Sequence, residues 1–347
     1  MKRMMNKRVI LFVLLGFILV YGLLAFTSPG DNHEGENPFL RSTERPLLIA
    51  HGGGNHEFPD NTLEAYYNAY SVDANVMMET DISITNDGVI ILSHDRTLDR
   101  KTSLTYAPIH EINYSDLVAD EIDFGFENVI VPRSNGFNES GELIRYRNYQ
   151  GETVTPLDVI YPEGVEARHE TKFLVTTLEE LIIAFPNNHL NVEIKQYGDV
   201  GLEALYAVIN LMVELDQDYD TFSRIVLASF HEEIYQELVR LHADTYPELM
   251  YSPERQGVKQ FFILHSLRLT RFYNEPITVL QVPMGEGFIN LATRGFVRSA
   301  HRNNIAVHYW TINDEDAMRH LIEIGADGIM TDRPNVLRSV LDEYDYE

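Results

Sequence analysis

Between residues 47 and 331 the sequence switches repeatedly from short apolar runs to longer segments whose apolar residues recur three and four positions apart. The first pattern reads as buried strand and the second as a helix packed along one face. Strand-like runs fall at 47–51, 76–85, 89–94, 190–195, 225–230, 249–251, 278–282, 305–311 and 328–331, and helix-like segments at 61–72, 177–185, 202–215, 232–242, 257–269, 289–302 and 315–324. The second of these helices carries its own start signal, Thr177 with Glu180 three residues on. Strands that alternate with helices over such a length build an α/β protein with a parallel sheet covered on both faces. About eight repeats, with no Gly-x-Gly-x-x-Gly turn opening the chain, favour a (β/α)₈ TIM barrel over an open doubly wound sheet.

Two regions interrupt the pattern. Residues 125–172 are rich in Asn, Gly, Pro and Tyr and have no sustained period. A structureless loop of that length is unusual inside a compact domain, so an inserted lobe over one barrel mouth is expected, with short strands near 129–131 and 143–149. The other region precedes the barrel, where Lys2, Arg3, Lys7 and Arg8 lead into residues 9–26, an uncharged apolar run. A bilayer span needs ~20 such residues, so residues 1–27 read as a basic cluster and transmembrane anchor. A cleaved signal peptide competes, with Ala25-Phe26-Thr27 as a weak cleavage site. The basic flank would leave the remainder of the chain outside the cytoplasm, anchored by a single pass or secreted if cleaved. Residues 28–45 read as a linker and 46–347 as the folded domain.

The formal charge of −26 makes nucleic acid an unlikely partner, since such a surface repels a phosphate backbone. A phosphate-bearing ligand would need a locally positive site, most simply a bound cation. The absence of cysteine excludes disulfides and thiolate metal centres.

In a β/α barrel, catalytic groups come from the C-terminal ends of the strands. His51, Glu79, Asp81, His94 and Glu193 all stand at or near such ends. Glu79 and Asp81 are two apart on one strand and face the same side. Together with Glu193 they offer hard oxygen ligands suited to Mg²⁺ or Ca²⁺. The other reading, equally open on pattern alone, is that these carboxylates form buried salt bridges with Lys195 and an arginine. Asp60 either caps the helix expected from Asn61 or belongs to the site. Trp310, the only tryptophan, is either a pocket wall or a core residue.

A series of motifs in register resembles the glycerophosphodiester phosphodiesterase family. They are His51-Gly52-Gly53, Pro59-Asp60-Asn61-Thr62, Glu79-Thr80-Asp81, His94-Asp95 with Leu98-Asp99-Arg100, Glu193-Ile194-Lys195, Ser229-Phe230, Trp310-Thr311-Ile312-Asn313 and the segment from Gly325 through Asp332 to Pro334. The resemblance implies a barrel enzyme that splits glycerophosphodiesters, or related lipid-derived phosphodiesters, into glycerol 3-phosphate and an alcohol. It implies one divalent cation, Ca²⁺ or Mg²⁺, at Glu79, Asp81 and Glu193, an acid/base pair of His51 and His94, and Lys195 on a phosphate oxygen. Two positions depart from the pattern. Gly52 replaces the family's arginine, leaving phosphate contacts to the amides of Gly52, Gly53 and Gly54, to Lys195 or to another arginine, and Asp60 replaces a glutamate. That loss leaves two alternatives: a catalytically weak binding or sensor protein, and phospholipase D-like chemistry on lysophospholipids at a membrane reached through the N-terminal helix.

Overall fold

The strand-like runs condense into eight short parallel strands: β1 (Leu47–Ala50), β2 (Met77–Ile84), β3 (Leu190–Ile194), β4 (Ile225–Ala228), β5 (Met250–Tyr251), β6 (Val279–Val282), β7 (Ala306–Tyr309) and β8 (Gly328–Thr331). Each is followed by a helix: α1 (Leu63–Val72), α2 (Leu178–Ala184), α3 (Gly198–Tyr219), α4 (Glu232–Asp244), α5 (Arg255–Ser266), α6 (Arg294–His301), α7 (Glu315–Ile324) and α8 (Pro334–Leu341). The computed structural model describes residues 15–16, 19–22, 35–41, 45–132 and 138–346.

Parallel ladders run in the order β5-β4-β3-β2-β1-β8-β7-β6. This is a nearly closed barrel whose two sheet ends are β5 and β6. Side chains alternate across it as the period of two requires. Leu47, Ile49, Met77, Val226, Met250, Val279, Ala306 and Met330 form the interior cluster. Their neighbours Leu48, Ala50, Met78, Leu227, Val307 and Ile329 pack outward beneath the helices.

Helix boundaries moved where side-chain caps decide them. α1 starts at Leu63 because Asn61 has a positive φ of 57° and Thr62 supplies the cap, its side chain accepting from the Ala65 amide. Asp60 is therefore not the helix cap. Thr177 and Glu180 form the reciprocal capping box expected of them. The helix expected over 289–302 is shorter: Gly285–Glu286 and Ile289–Asn290 pair as a small hairpin, and α6 starts at Arg294 after the Thr293 cap.

The floor of the barrel, at the N-terminal ends of the strands, is closed by residues 35–41, within the stretch expected to be linker. Phe39 is fully buried there, its ring edge-on to His189 and His308 at 5.0 and 5.9 Å. Asn37 donates to the carbonyls of Thr278 and Asn304, and the Arg41 amide donates to Asp327. Both ring nitrogens of the fully buried His308 lack a hydrogen-bond partner among the described residues. Burial, with Arg41 and His189 nearby, pushes its pKa down to about 3.

The expected single-pass anchor, and with it the extracytoplasmic placement, does not stand. Among the described residues no helix is long and apolar enough to cross a membrane. Of the apolar run, residues 15–16 and 19–22 are described. The remainder of that run lies outside the described residues.

The region 125–172 contains an antiparallel hairpin of Phe126–Pro132 with Asn138–Arg145. It docks beside the catalytic mouth: the Tyr146 hydroxyl donates to the Asn55 carbonyl, and the Tyr149 amide donates to the His56 carbonyl.

Candidate active site

β2 is buried on both faces and paired on both edges, and its period of two sends Met77, Glu79 and Asp81 into the barrel. Asp81 lies directly opposite Glu193 in the β2–β3 ladder, so two carboxylates meet by register alone. Glu79, Asp81 and Glu193 each present an oxygen, and these atoms all lie within 4.8 Å of one another. Such crowding is unfavourable for free anions. Burial, then the Asp81 charge, pushes the Glu79 pKa up to about 8, and burial raises that of Glu193 as well. Lys195 relieves part of the repulsion, with Nζ 2.9 Å from Glu193 and 3.2 Å from Asp81.

The turn after β1 holds the first histidine. Gly52 and Gly53 have positive φ, and a Cβ at Gly53 would stand 2.7 Å from that of Ala65, so the turn seats directly on α1. The Gly52 amide donates to Glu79 at 2.8 Å, so it orients a carboxylate. His51 Nδ1 meets Asp332 Oδ1 at 2.6 Å, and its Nε2 lies 4.0 Å from Glu79. Burial disfavours a charged His51, but Glu79 and then Asp332 outweigh it and raise the pKa to about 10. Asp332 in turn accepts from Asn313 Nδ2 at 2.6 Å.

The second histidine follows the short strand Ile90–Leu92, which pairs antiparallel with β2. His94 Nδ1 contacts Asp95 Oδ1 at 2.9 Å, and that hydrogen bond raises its pKa. Although burial opposes its ionisation, the His94 hydrogen bond and the Arg100 charge hold Asp95 at about 2. Arg100 also spans both oxygens of Asp60 at 3.2 and 3.0 Å. Asp60 is a buried anion that braces the His94 loop against the β1–α1 loop, and with Gly52 and Gly53 it lies outside the cavity lining.

That cavity, of about 270 Å³, is lined by His51, Glu79, His94, Glu193 and Lys195, by the apolar Ala228, Phe230, Pro253, Trp310 and Met330, and by polar residues including Ser229, Ser252 and Gln281. Trp310 is half-buried, meets Phe230 edge-to-face at 6.0 Å and lines the pocket as well as packing on the barrel interior. Sequence reasoning missed two organising residues. Asn61 donates to Asp81 and accepts from Tyr66, Thr80 and the Asp81 amide, and its place in the Pro59-to-Thr62 motif was the available signal. Asp332 stood inside the C-terminal motif, but its pairing with His51 is a contact between strands at opposite ends of the chain.

The β/α barrel thus brings two histidines and three clustered carboxylates to its C-terminal mouth. The chain belongs to the glycerophosphoryl diester phosphodiesterase family, whose pattern it matches over residues 51–336. It is 24% identical over 321 residues to a Mus musculus protein named lysophospholipase D GDPD3, covering 86% of this chain and 83% of that one. It is also 24% identical over 332 residues to the glycerophosphodiester phosphodiesterase of Bacillus subtilis, covering 94% and 97%. Among solved structures, a glycerophosphoryl diester phosphodiesterase from Silicibacter pomeroyi superposes with a TM-score of 0.60 at 20% identity, covering 88% and 96%. An Oleispira antarctica phosphodiesterase in complex with the product sn-glycerol-3-phosphate superposes with a TM-score of 0.57 at 20% identity, covering 86% and 97%.

Proposed function

We propose that this chain hydrolyses glycerophosphodiesters to glycerol 3-phosphate and an alcohol, with Glu79, Asp81 and Glu193 holding one Ca²⁺ or Mg²⁺ and His51 and His94 exchanging protons with the substrate. The observation that carries the reading is the three-carboxylate cluster flanked by two histidines, each with Nδ1 on an aspartate. The donor set fits a hard dication: the ligands are all oxygen, and burial together with the Asp81 charge raises the Glu79 pKa to about 8. When bound there, the cation would polarise the phosphodiester and cancel the carboxylate charges that pull a proton onto His51.

His51, oriented by Asp332, takes a proton from the water whose oxygen bonds to phosphorus. His94, whose protonated form the Asp95 hydrogen bond favours, gives a proton to the departing alcohol as the phosphorus–oxygen bond breaks. Lys195, already between Asp81 and Glu193, supplies a positive charge for a non-bridging phosphate oxygen. The balance is one water consumed per diester cleaved.

The test is release of glycerol 3-phosphate from glycerophosphocholine by the purified chain with Ca²⁺, with Mg²⁺ and after chelation. Unchanged activity in a His51→Ala, His94→Ala double variant would overturn the mechanism. A second reading, phospholipase D-like cleavage of lysophospholipids, draws support from the apolar pocket wall of Phe230, Pro253, Trp310 and Met330 and from relatives named lysophospholipase D. Paired acylated and deacylated substrates of one head group separate the two.

A further inference from the structure

We infer that Arg96, stacked on Tyr197, forms a subsite at the pocket rim for a second anionic group on the substrate's alcohol, a carboxylate or a further phosphate. The inference rests on the phosphodiesterase reading above and names the class of substrate. The Arg96 guanidinium lies 4.5 Å from the centre of the Tyr197 ring, and that ring lies 5.5 Å from the ring of His231. His231 Nε2 in turn sits 3.2 Å from the Lys195 carbonyl.

Three rim residues thus come from three loops, and each is one or two positions from a residue that lines the cavity: Arg96 from His94, Tyr197 from Lys195 and His231 from Phe230. The array therefore borders the cavity where His94 stands, the side on which the leaving alcohol departs.

Its chemistry selects an anion. Arg100, four residues along the same loop, is consumed by Asp60 and Asp95, whereas Arg96 is exposed and has no carboxylate partner among the described residues. In a chain of net charge −26, an arginine left unpaired at a catalytic mouth is not explained by general surface pairing. Stacking fixes the guanidinium plane through its face and leaves the N–H edges free to donate, a geometry suited to carboxylate or phosphate oxygens. The backbone is fixed too, since the Arg96 carbonyl accepts from the Ile109 amide.

The experiment compares kcat/KM on glycerophosphoserine, on a glycerophosphate dimer, on glycerophosphoglycerol, whose alcohol is uncharged, and on glycerophosphocholine, whose alcohol is cationic. Arg96→Gln should lower kcat/KM about tenfold on the two anionic-alcohol substrates, through KM, and leave the other two unchanged. The serine and dimer arms tell a carboxylate from a phosphate. Tyr197→Leu should give a smaller loss with the same selectivity, and Arg96→Lys should recover only part of it. An equal change on all four substrates, or none on the anionic pair, overturns the subsite. Calorimetric binding of glycerophosphoserine and glycerophosphocholine to the same variants reads the subsite without turnover. An inactive but selectively binding chain would then count against the hydrolytic reading and not against the subsite.

Discussion

The carboxylate of Asp332, just past the last barrel strand, lies 2.6 Å from Nδ1 of His51, just past the first, so the first and last strands of the chain meet in one hydrogen-bonded pair. If His51 acts as base, its pKa sets the acidic limb of the rate profile. Asp332 raises that pKa, so Asp332→Asn should move the acidic limb to lower pH while reducing kcat on the order of 10²-fold and leaving KM nearly unchanged. A reduced rate with an unmoved limb would make Asp332 a purely structural partner.

Glu79 carries the clearest signature of a cation site. With its pKa raised to about 8 by burial and Asp81, it holds a proton near neutrality in the cation-free protein. Binding of Ca²⁺ or Mg²⁺ should displace that proton, so apparent affinity should rise with pH and level off above about 8. Calorimetry in buffers of unlike ionisation enthalpy measures the release directly. Glu79→Gln should abolish both the release and any cation-induced rise in Tm, and pH-independent binding would contradict the assignment.

In the proposed mechanism Asp95 stands to the acid, His94, as Asp332 stands to the base, His51. Its hydrogen bond raises the His94 pKa, and His94 must be protonated to act. Removing the charge in Asp95→Asn should therefore draw the alkaline limb to lower pH, the opposite limb from that moved by Asp332→Asn. Identical shifts in the two variants would refute the division of roles.

Asn61 makes its point through stability. Its side chain meets Asp81, Tyr66 and Thr80, and its positive φ suits asparagine better than most residues. Asn61→Ala should cost about 2–3 kcal/mol in chemical denaturation and weaken divalent-cation binding. Full retention of both would show that the network is dispensable.

His308 ties stability to acid. Its pKa is near 3 in the folded chain against 6.5 when unfolded, so the unfolded state takes up the proton first. The stability associated with the neutral ring is complete above 6.5 and is lost as pH falls from there towards about 3, at up to about 1.4 kcal/mol per pH unit. His308→Leu should flatten the fall of Tm across that window, with His189 accounting for part of what remains.

The barrel was legible because its signal is periodic: the buried strands and the capped helix at Thr177 depend only on neighbours in sequence. The carboxylates were legible for the same reason, Glu79 and Asp81 by spacing and Glu193 by its place at a strand end. Contacts set by closure of the barrel were not. Asp332 beside His51, and Arg100 consumed by Asp60, pair residues whose proximity follows from three-dimensional register. Gly52 illustrates the difference. Its amide, offered by the sequence as a phosphate donor, is spent on Glu79, which a motif cannot reveal. Phe39 lay in an aperiodic polar stretch, and nothing local marked it as a core residue.

That aromatic stopper also gives the molecule a direction. Because residues 35–41 enter through the floor, the polypeptide that leads into the barrel arrives on the face opposite the cavity. A surface linkage made within residues 35–41 would therefore hold the enzyme by its base with the mouth turned outward.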